Sequence, residues 1–496
     1  MDEWPQHPTV YEINTCAWLT GLSGQADGPV TLANVPQAEL ERIASHGFDG
    51  VWLMGVWQRS SGARCVSQTL PAWQEAYRQA LPDYRADHVV GSPYAVRDYR
   101  VDPVLGGDEG LALLRGRLRD LGLRLILDFV PNHLAIDHAW LATHPRRLVQ
   151  GDLDRLEQEP ANYFQVEIDG QMHVFAHGRD PCFDGWPDTV QIDYRRPDAR
   201  RAMTDLLLSI AEWCEGVRCD MAMLLARDVF LKTWGGRFDP PEAEFWPAAI
   251  TDLKASHPGF LTMAEVYWDM EWVMQQQGFD YAYDKRLYDR LLRDDVASVR
   301  GHLTAGTDYQ QHLARFIENH DERRAAEAFG VERSKATAVL ALTLPGLRLV
   351  HEGQMEGLRT KLSVHLGRRR QEAPVDGLIP FYHRFLAALS HPVFHDGEWK
   401  LLQTDPASPG DSGYQRAVGH QWIAGDERRI VTVNLSDHPV QFYLPVDMPQ
   451  LAGQNCLLRD LLSDEEYTRS GDKVLGPGLY LNLPAHGTHI FAVKLA

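Results

Sequence analysis

LRLILDFVPNH, residues 123–133, is apolar for most of its length and turns polar at Asn132 and His133. Three other stretches share that grammar. GVRCDMAM (216–223) runs into Asp220, FLTMAEVYW (260–268) into Glu265, and RFIENHDE (315–322) into Asp321. Short apolar runs of this kind read as strands buried on both faces of a parallel sheet. Reactive side chains collected at the carboxyl ends of such strands are the signature of a barrel of alternating strands and helices.

Working outward, the alternation continues to about residue 390. TVYEINTCAWL reads as a first strand and GFDGVWLMGVW as a second, while GFDYAYD and LPGLRLVHEG complete a set of eight with the runs above. Between them lie amphipathic helices. From Asp108 to Gly122, Leu111, Leu114, Leu118 and Leu121 share one face and Gly122 suits the end. From Pro197 to Glu215, a proline opens the helix and Met203, Leu206, Leu207, Ile210 and Trp213 form a stripe. Eight such units predict a closed (β/α)8 barrel.

Two regions break the rhythm. Between His133 and Pro197 lie residues rich in Pro, Gly, Asp and aromatics, too long for a plain connection. A second long stretch, Gln58 to Gly91, follows strand two. Beyond the helical IPFYHRFLAALSHPVF, the runs become short and β-rich with turn residues between them. The expected organisation is a barrel of residues 1–133 and 198–394, a subdomain inserted after strand three at 134–197, and an antiparallel β-sandwich at 395–496.

The whole chain narrows the classes. Its 496 residues exceed one compact core, and 44% hydrophobic with 24% charged residues is ordinary for a soluble globular protein. A formal charge of −19 argues against nucleic acid and anionic membranes as partners. No apolar run reaches the roughly 20 residues that span a bilayer. MDEWPQHPTVYEI has no basic stretch followed by an apolar core, so no signal peptide is read. The six scattered cysteines show no metal-type pairing and read as free buried thiols, which fits a reducing cytoplasm. The oligomeric state is not legible.

The segments DFVPNH, GVRCD, MAEVYW and FIENHD resemble, in order, the four short signature regions of the α-amylase superfamily of retaining glycoside hydrolases and transglycosylases. The resemblance implies a nucleophile at Asp220, a general acid/base at Glu265, and at Asp321 a third carboxylate that grips the distorted sugar. His133 and His320 map to hydroxyl donors, and Arg218 to the cation that keeps Asp220 ionised. Tyr94, in GSPYAVRDYRVDPVLGG, maps to the aromatic platform under the sugar. Tyr267 and Trp268 follow Glu265, where they can desolvate it or stack on the leaving group, and Asp128 reads as scaffold. WPDTVQIDY resembles, more loosely, the family motif that closes the inserted domain. This chemistry requires no cofactor, though Asn132 stands where many relatives hold a structural calcium.

Departures from the family pattern bear on specificity. Met223 and Leu224 stand where endo-acting amylases carry a Lys-His pair, Gly91 where exo-acting glucosidases carry an Asp, and Met221 is bulky for the place after the nucleophile. The expectation is a retaining hydrolase of malto-oligosaccharides or short α-glucosides. The alternatives are a transglycosylase with the same residues, or a non-catalytic glycan-binding barrel.

Overall fold

The computed structural model describes residues 3–235, 239 and 241–495. Eight parallel strands close into a barrel: β1 (Thr9–Asn14), β2 (Gly50–Met54), β3 (Arg124–Phe129), β4 (Gly216–Cys219), β5 (Leu261–Ala264), β6 (Tyr281–Tyr283), β7 (Leu313–Arg315) and β8 (Leu347–His351). Each pairs with its neighbours in sequence, and β8 pairs with β1. The eight predicted strands are these eight.

Three boundaries differ from the sequence reading, each for a local reason. TVYEINTCAWL is not one strand. The Asn14 side chain accepts the Ala17 N–H at 3.2 Å and starts a helix at Thr15. GFDGVWLMGVW breaks at Gly55, whose φ of +78° turns the chain, after which Trp57–Arg59 pairs with Val96–Val101 in a small antiparallel ribbon. The third difference concerns β7, which stops at Arg315, so Phe316 to Asp321 form a loop above it.

The helices follow their apolar stripes. Gly107–Asp120 buries Leu111, Leu114 and Leu118 against the barrel, with Asp108 and Glu109 in its first turn. Gly122 takes φ +80° just past its end. Removing any of these leucines to alanine should cost about 2–5 kcal/mol. Pro197–Ala211 ends four residues sooner than the stripe suggests, and Glu215 instead bonds Arg115 and the Leu125 N–H.

After β3, His133–Ala135 pairs with Thr189–Gln191, and the chain between them carries the hairpin Tyr163–Ile168/Gln171–Ala176. The carboxyl-terminal part forms a six-stranded and a three-stranded antiparallel sheet around Leu402, Ile430, Phe442, Leu458 and Phe491. Trp422 anchors it to the barrel, fully buried, with its indole N–H donating to the Thr343 carbonyl at 2.7 Å. All six cysteines are free thiols; Cys65 and Cys182 are exposed, and the other four are buried as expected. Among the described residues no helix is long and apolar enough to cross a membrane.

Candidate active site

The site is built from the ends of β4 and β5. Backbone bonds run from Asp220 N–H to the Phe129 carbonyl (2.8 Å) and from Glu265 N–H to the Cys219 carbonyl (3.0 Å), so both carboxylates leave the barrel at the same level. Both are buried, at 5% and 3% exposure. Between them lies Arg218, wholly buried, two residues before Asp220 and therefore on its side of the strand. Its Nη1 donates to Asp220 Oδ1 at 2.9 Å and its Nη2 lies 2.7 Å from Glu265 Oε2. The same guanidinium lies over the rings of Tyr94, Trp52 and Tyr283.

Arg218 was expected to keep Asp220 ionised; its charge and hydrogen bond do favour the anion, against stronger opposing influences. The guanidinium is divided among three carboxylates, Asp220, Glu265 and, at 3.7 Å, Asp128, and burial, followed by the facing Glu265 charge, pushes the Asp220 carboxyl up to about 8 against the pull of Arg218. Glu265 receives its own donors: the Met221 N–H at 2.7 Å to Oε2, and the Tyr267 hydroxyl at 2.9 Å to Oε1. Aiming the Met221 N–H at Glu265 requires a left-handed backbone, φ +42° and ψ +45°, which is strained for a bulky residue.

Asp321 and His320 follow β7, two strands round the barrel from β5. His320 Nε2 is 3.0 Å from Asp321 Oδ2 and 2.8 Å from the Tyr94 hydroxyl. Its Nδ1 is 2.5 Å from Glu12 Oε1, an oxygen that also accepts the His320 backbone N–H. Burial works against a charge on this ring, but Asp321 and Glu12 outweigh it and raise His320 to about 10, so it stands as an imidazolium. On Glu12 itself burial is outweighed by His351 and His320, which hold it below the usual carboxylate range. The Asp321 side chain keeps 40% of its surface exposed; what burial it has is outweighed by His320, then Arg218 and Lys361, and its carboxyl lies well below the ordinary value.

The remaining predicted residues divide. Tyr94 stacks on His320 at 5.5 Å between ring centroids and lies within the same cluster. His133 does not keep the part expected of it. Burial lowers it to about 4, so it is neutral, and its Nε2 lies 3.1 Å from the Tyr94 carbonyl. A carbonyl only accepts, so the single ring proton is spent there, and His133 braces the platform residue instead of offering a donor to a sugar hydroxyl. Tyr267 is a hydrogen-bond partner of Glu265 more than an apolar cover. Trp268 is 43% exposed at φ +60°, beside Glu265 on the outer rim. Asp128 accepts the Gly55 N–H at 2.8 Å and serves as scaffold, as read.

Asn132, the residue mapped to a structural calcium, is engaged by a neighbouring side chain. Its carboxamide is closed on Gln191, whose Nε2 donates to Asn132 Oδ1 at 3.1 Å and to its carbonyl at 2.9 Å. No group of three or more His, Cys, Asp or Glu side chains placed to hold a metal occurs among the described residues. Sequence reasoning missed Glu12. The signal was present: one carboxylate in the middle of the wholly buried run TVYEIN demands a buried partner.

These features define a (β/α)8-barrel protein with an acidic site at the carboxyl ends of its strands. Residues 37–373 match the family model for the alpha amylase catalytic domain, and the chain belongs to the α-amylase family. It is similar to Maltase 1 of Drosophila virilis, at 24% identity over 72% of this chain and 59% of that protein. It is also similar to the alpha-amylase MalA of Haloarcula japonica, at 23% identity over 95% of this chain and 60% of that one. The chain thus spans about three-fifths of the length of these curated relatives. The crystal structure of the noncanonic maltogenic alpha-amylase AmyB from Thermotoga neapolitana shares the fold, with a TM-score of 0.68, 18% identity and 99% of both chains covered.

Proposed function

We propose that this protein cleaves α-glucosidic bonds of malto-oligosaccharides or short α-glucosides with retention, through a glycosyl ester on Asp220. One arrangement carries the reading: a single buried guanidinium, Arg218, that bonds Asp220 through one nitrogen and pairs with Glu265 through the other. A retaining pair works at about 5–5.5 Å, and a guanidinium that contacts both carboxyls keeps them close to each other.

In the first step an Asp220 oxygen attacks C1 of the bound glucosyl unit. The C1–O bond breaks as Glu265 gives its proton to the departing oxygen. In the second step Glu265, now a carboxylate, takes a proton from water, whose oxygen attacks C1 and releases Asp220. Two inversions give retention. In the productive complex the proton must stand on Glu265 and Asp220 must be the anion. Positive charge developing at C1 favours an ionised Asp220, and the glycosidic oxygen at Glu265 draws the proton there. Asp321, held ionised by His320, bonds sugar hydroxyls and opposes the charge of the transition state.

Asp220→Ala and Glu265→Gln should each abolish release of reducing sugar from maltose and maltotriose, and NMR of the first-formed product should show the α anomer. Retained turnover in either variant, or an initial β anomer, would overturn the assignment. Transfer to a sugar hydroxyl in place of water would use the same residues, with the acceptor hydroxyl giving its proton to Glu265. Longer or rearranged products in chromatograms from maltose and trehalose would decide for it. Tight glycan binding without turnover of any α-glucoside would mean a binding barrel instead.

A further inference from the structure

A small hydrophobic core, separate from those of the barrel and the carboxyl-terminal sheets, sits above the barrel, and nothing in the catalytic reading requires it. Tyr77, Ala80, Leu81, Val89 and Leu366 are buried together, with Trp73, Tyr84 and Leu362 packed around them. It joins two loops: residues 61–90, which follow β2 and carry the helices Ser61–Thr69 and Pro71–Ala80, and the segment after β8. The joint has a backbone as well. Val89 and Leu366 form an antiparallel bridge, Val90 N–H donates to the His365 carbonyl at 2.9 Å, and Gly367 N–H donates to the His88 carbonyl at 2.9 Å. Trp73 stacks on His365 at 4.3 Å, and Arg368 pairs with Asp83 at 2.5 Å.

The barrel order says which side this roof closes. β2 and β8 flank β1, and β1 is diametrically opposite β5, the strand that presents Glu265. The leaving group departs over Glu265, so a chain extending the other way, toward its non-reducing end, heads for the pole of β1. The roof lies across that pole and is sealed to its surroundings. A Cβ on Gly367 would meet Val90 Cγ1 at 2.6 Å and Cys16 Sγ, in the helix after β1, at 3.3 Å. The Lys361 ammonium bonds the Asp321 carbonyl. Gly91, three residues before Tyr94, has φ +90°, and a Cβ there would meet the Arg64 backbone at 3.3 Å. The first roof helix fills the space in which a side chain at position 91 would lie.

Building on the function proposed above, we propose that the joined loops close the non-reducing side of the cleft, so that the enzyme acts on chain ends and not on internal bonds. The specificity is carried by packing between the loops after β2 and β8, in place of a charged side chain at position 91.

The test compares maltotriose and maltoheptaose with the same sugars capped by a 4,6-O-ethylidene group on the non-reducing terminal glucose, with products resolved by chromatography. The expected result is stepwise shortening of the free sugars and at least a hundredfold slower cleavage of the capped ones. Comparable rates, or internal fragments from capped maltoheptaose, would overturn the proposal. Failure to cleave either form, together with no turnover of p-nitrophenyl α-glucoside, would overturn the α-glucosidase reading itself and the inference with it. Trp73→Ala, checked for folding by its turnover of p-nitrophenyl α-glucoside, should raise the capped-to-free rate ratio at least tenfold. Should Trp73→Ala fail to fold, His365→Ala removes the same stack from the other loop and should act alike. An unchanged ratio in a folded variant would overturn the role given to the roof.

Discussion

Replacing Glu12 by glutamine changes one charge and almost no shape, and it tests the electrostatic logic of the site. The carboxylate is fully buried, and its Oε1 takes both the Nδ1 proton and the backbone N–H of His320. Its Oε2 has no hydrogen-bond partner among the described residues, so the burial is offset by the nearby His351 and by the charge and hydrogen bonds of His320. Glutamine keeps the acceptor and removes the anion. The other carboxylate on the ring, Asp321, supports the charge as well, but its side chain is 40% exposed. With only that support, burial lowers His320 toward the neutral range. Its remaining proton stays on Nδ1, facing the amide oxygen, and Nε2 becomes a lone pair facing Asp321. A hydrogen bond to a charged group is worth about 1.5–3 kcal/mol, or roughly ten- to a hundredfold in rate. The loss should depend on pH. In the native protein the imidazolium persists to about 10, whereas in the variant it titrates within the assay range. We therefore expect kcat/KM on p-nitrophenyl α-glucoside to be close to wild type at pH 5.5 and to fall about ten- to a hundredfold by pH 8. Glu12→Asp, which keeps the charge, should restore the wild-type profile shape. A glutamine variant whose profile superimposes on wild type, even at reduced activity, would refute this reasoning and leave Glu12 a structural residue.

Other outcomes follow from the same geometry. His320 titrates at about 10 in the folded chain and near 6.5 when unfolded, so its stabilisation is complete below pH 6.5, shrinks as pH climbs and is gone above 10. Thermal midpoints should therefore fall between pH 7 and 10.5, and less steeply in Glu12→Gln; equal slopes would contradict it. Trp268→Ala should raise KM for maltotriose about three- to tenfold, the worth of one aromatic contact, while leaving kcat nearly unchanged; an unaltered KM would remove it from the leaving-group side. Because Asn132 is closed on Gln191, EDTA should leave the thermal midpoint where it is, and a drop reversed by calcium would show that this network opens to bind the ion.

The barrel was legible because a strand buried on both faces must be apolar throughout, and that makes GVRC, LTMA and RLILDF conspicuous between amphipathic helices. Asp220 and Glu265 were legible for the converse reason, as charges that begin where each apolar run ends. Asp321 was harder to place. β7 has only three residues, and the apolar Phe316 and Ile317 that seem to extend it belong to the loop that carries the carboxylate inward. The roles of the imidazoles could not be read from motif position, because they depend on which atom each ring proton faces. His133 faces a carbonyl and is held neutral; His320 lies between two carboxylates and is held charged. The partner that charges His320 is 308 residues away in sequence, on the strand that closes the barrel. The closure that joins β1 to β8 therefore does more than complete the sheet. It brings the Glu12 anion under the loop after β7, and through His320 it bears on how the third carboxylate meets a sugar.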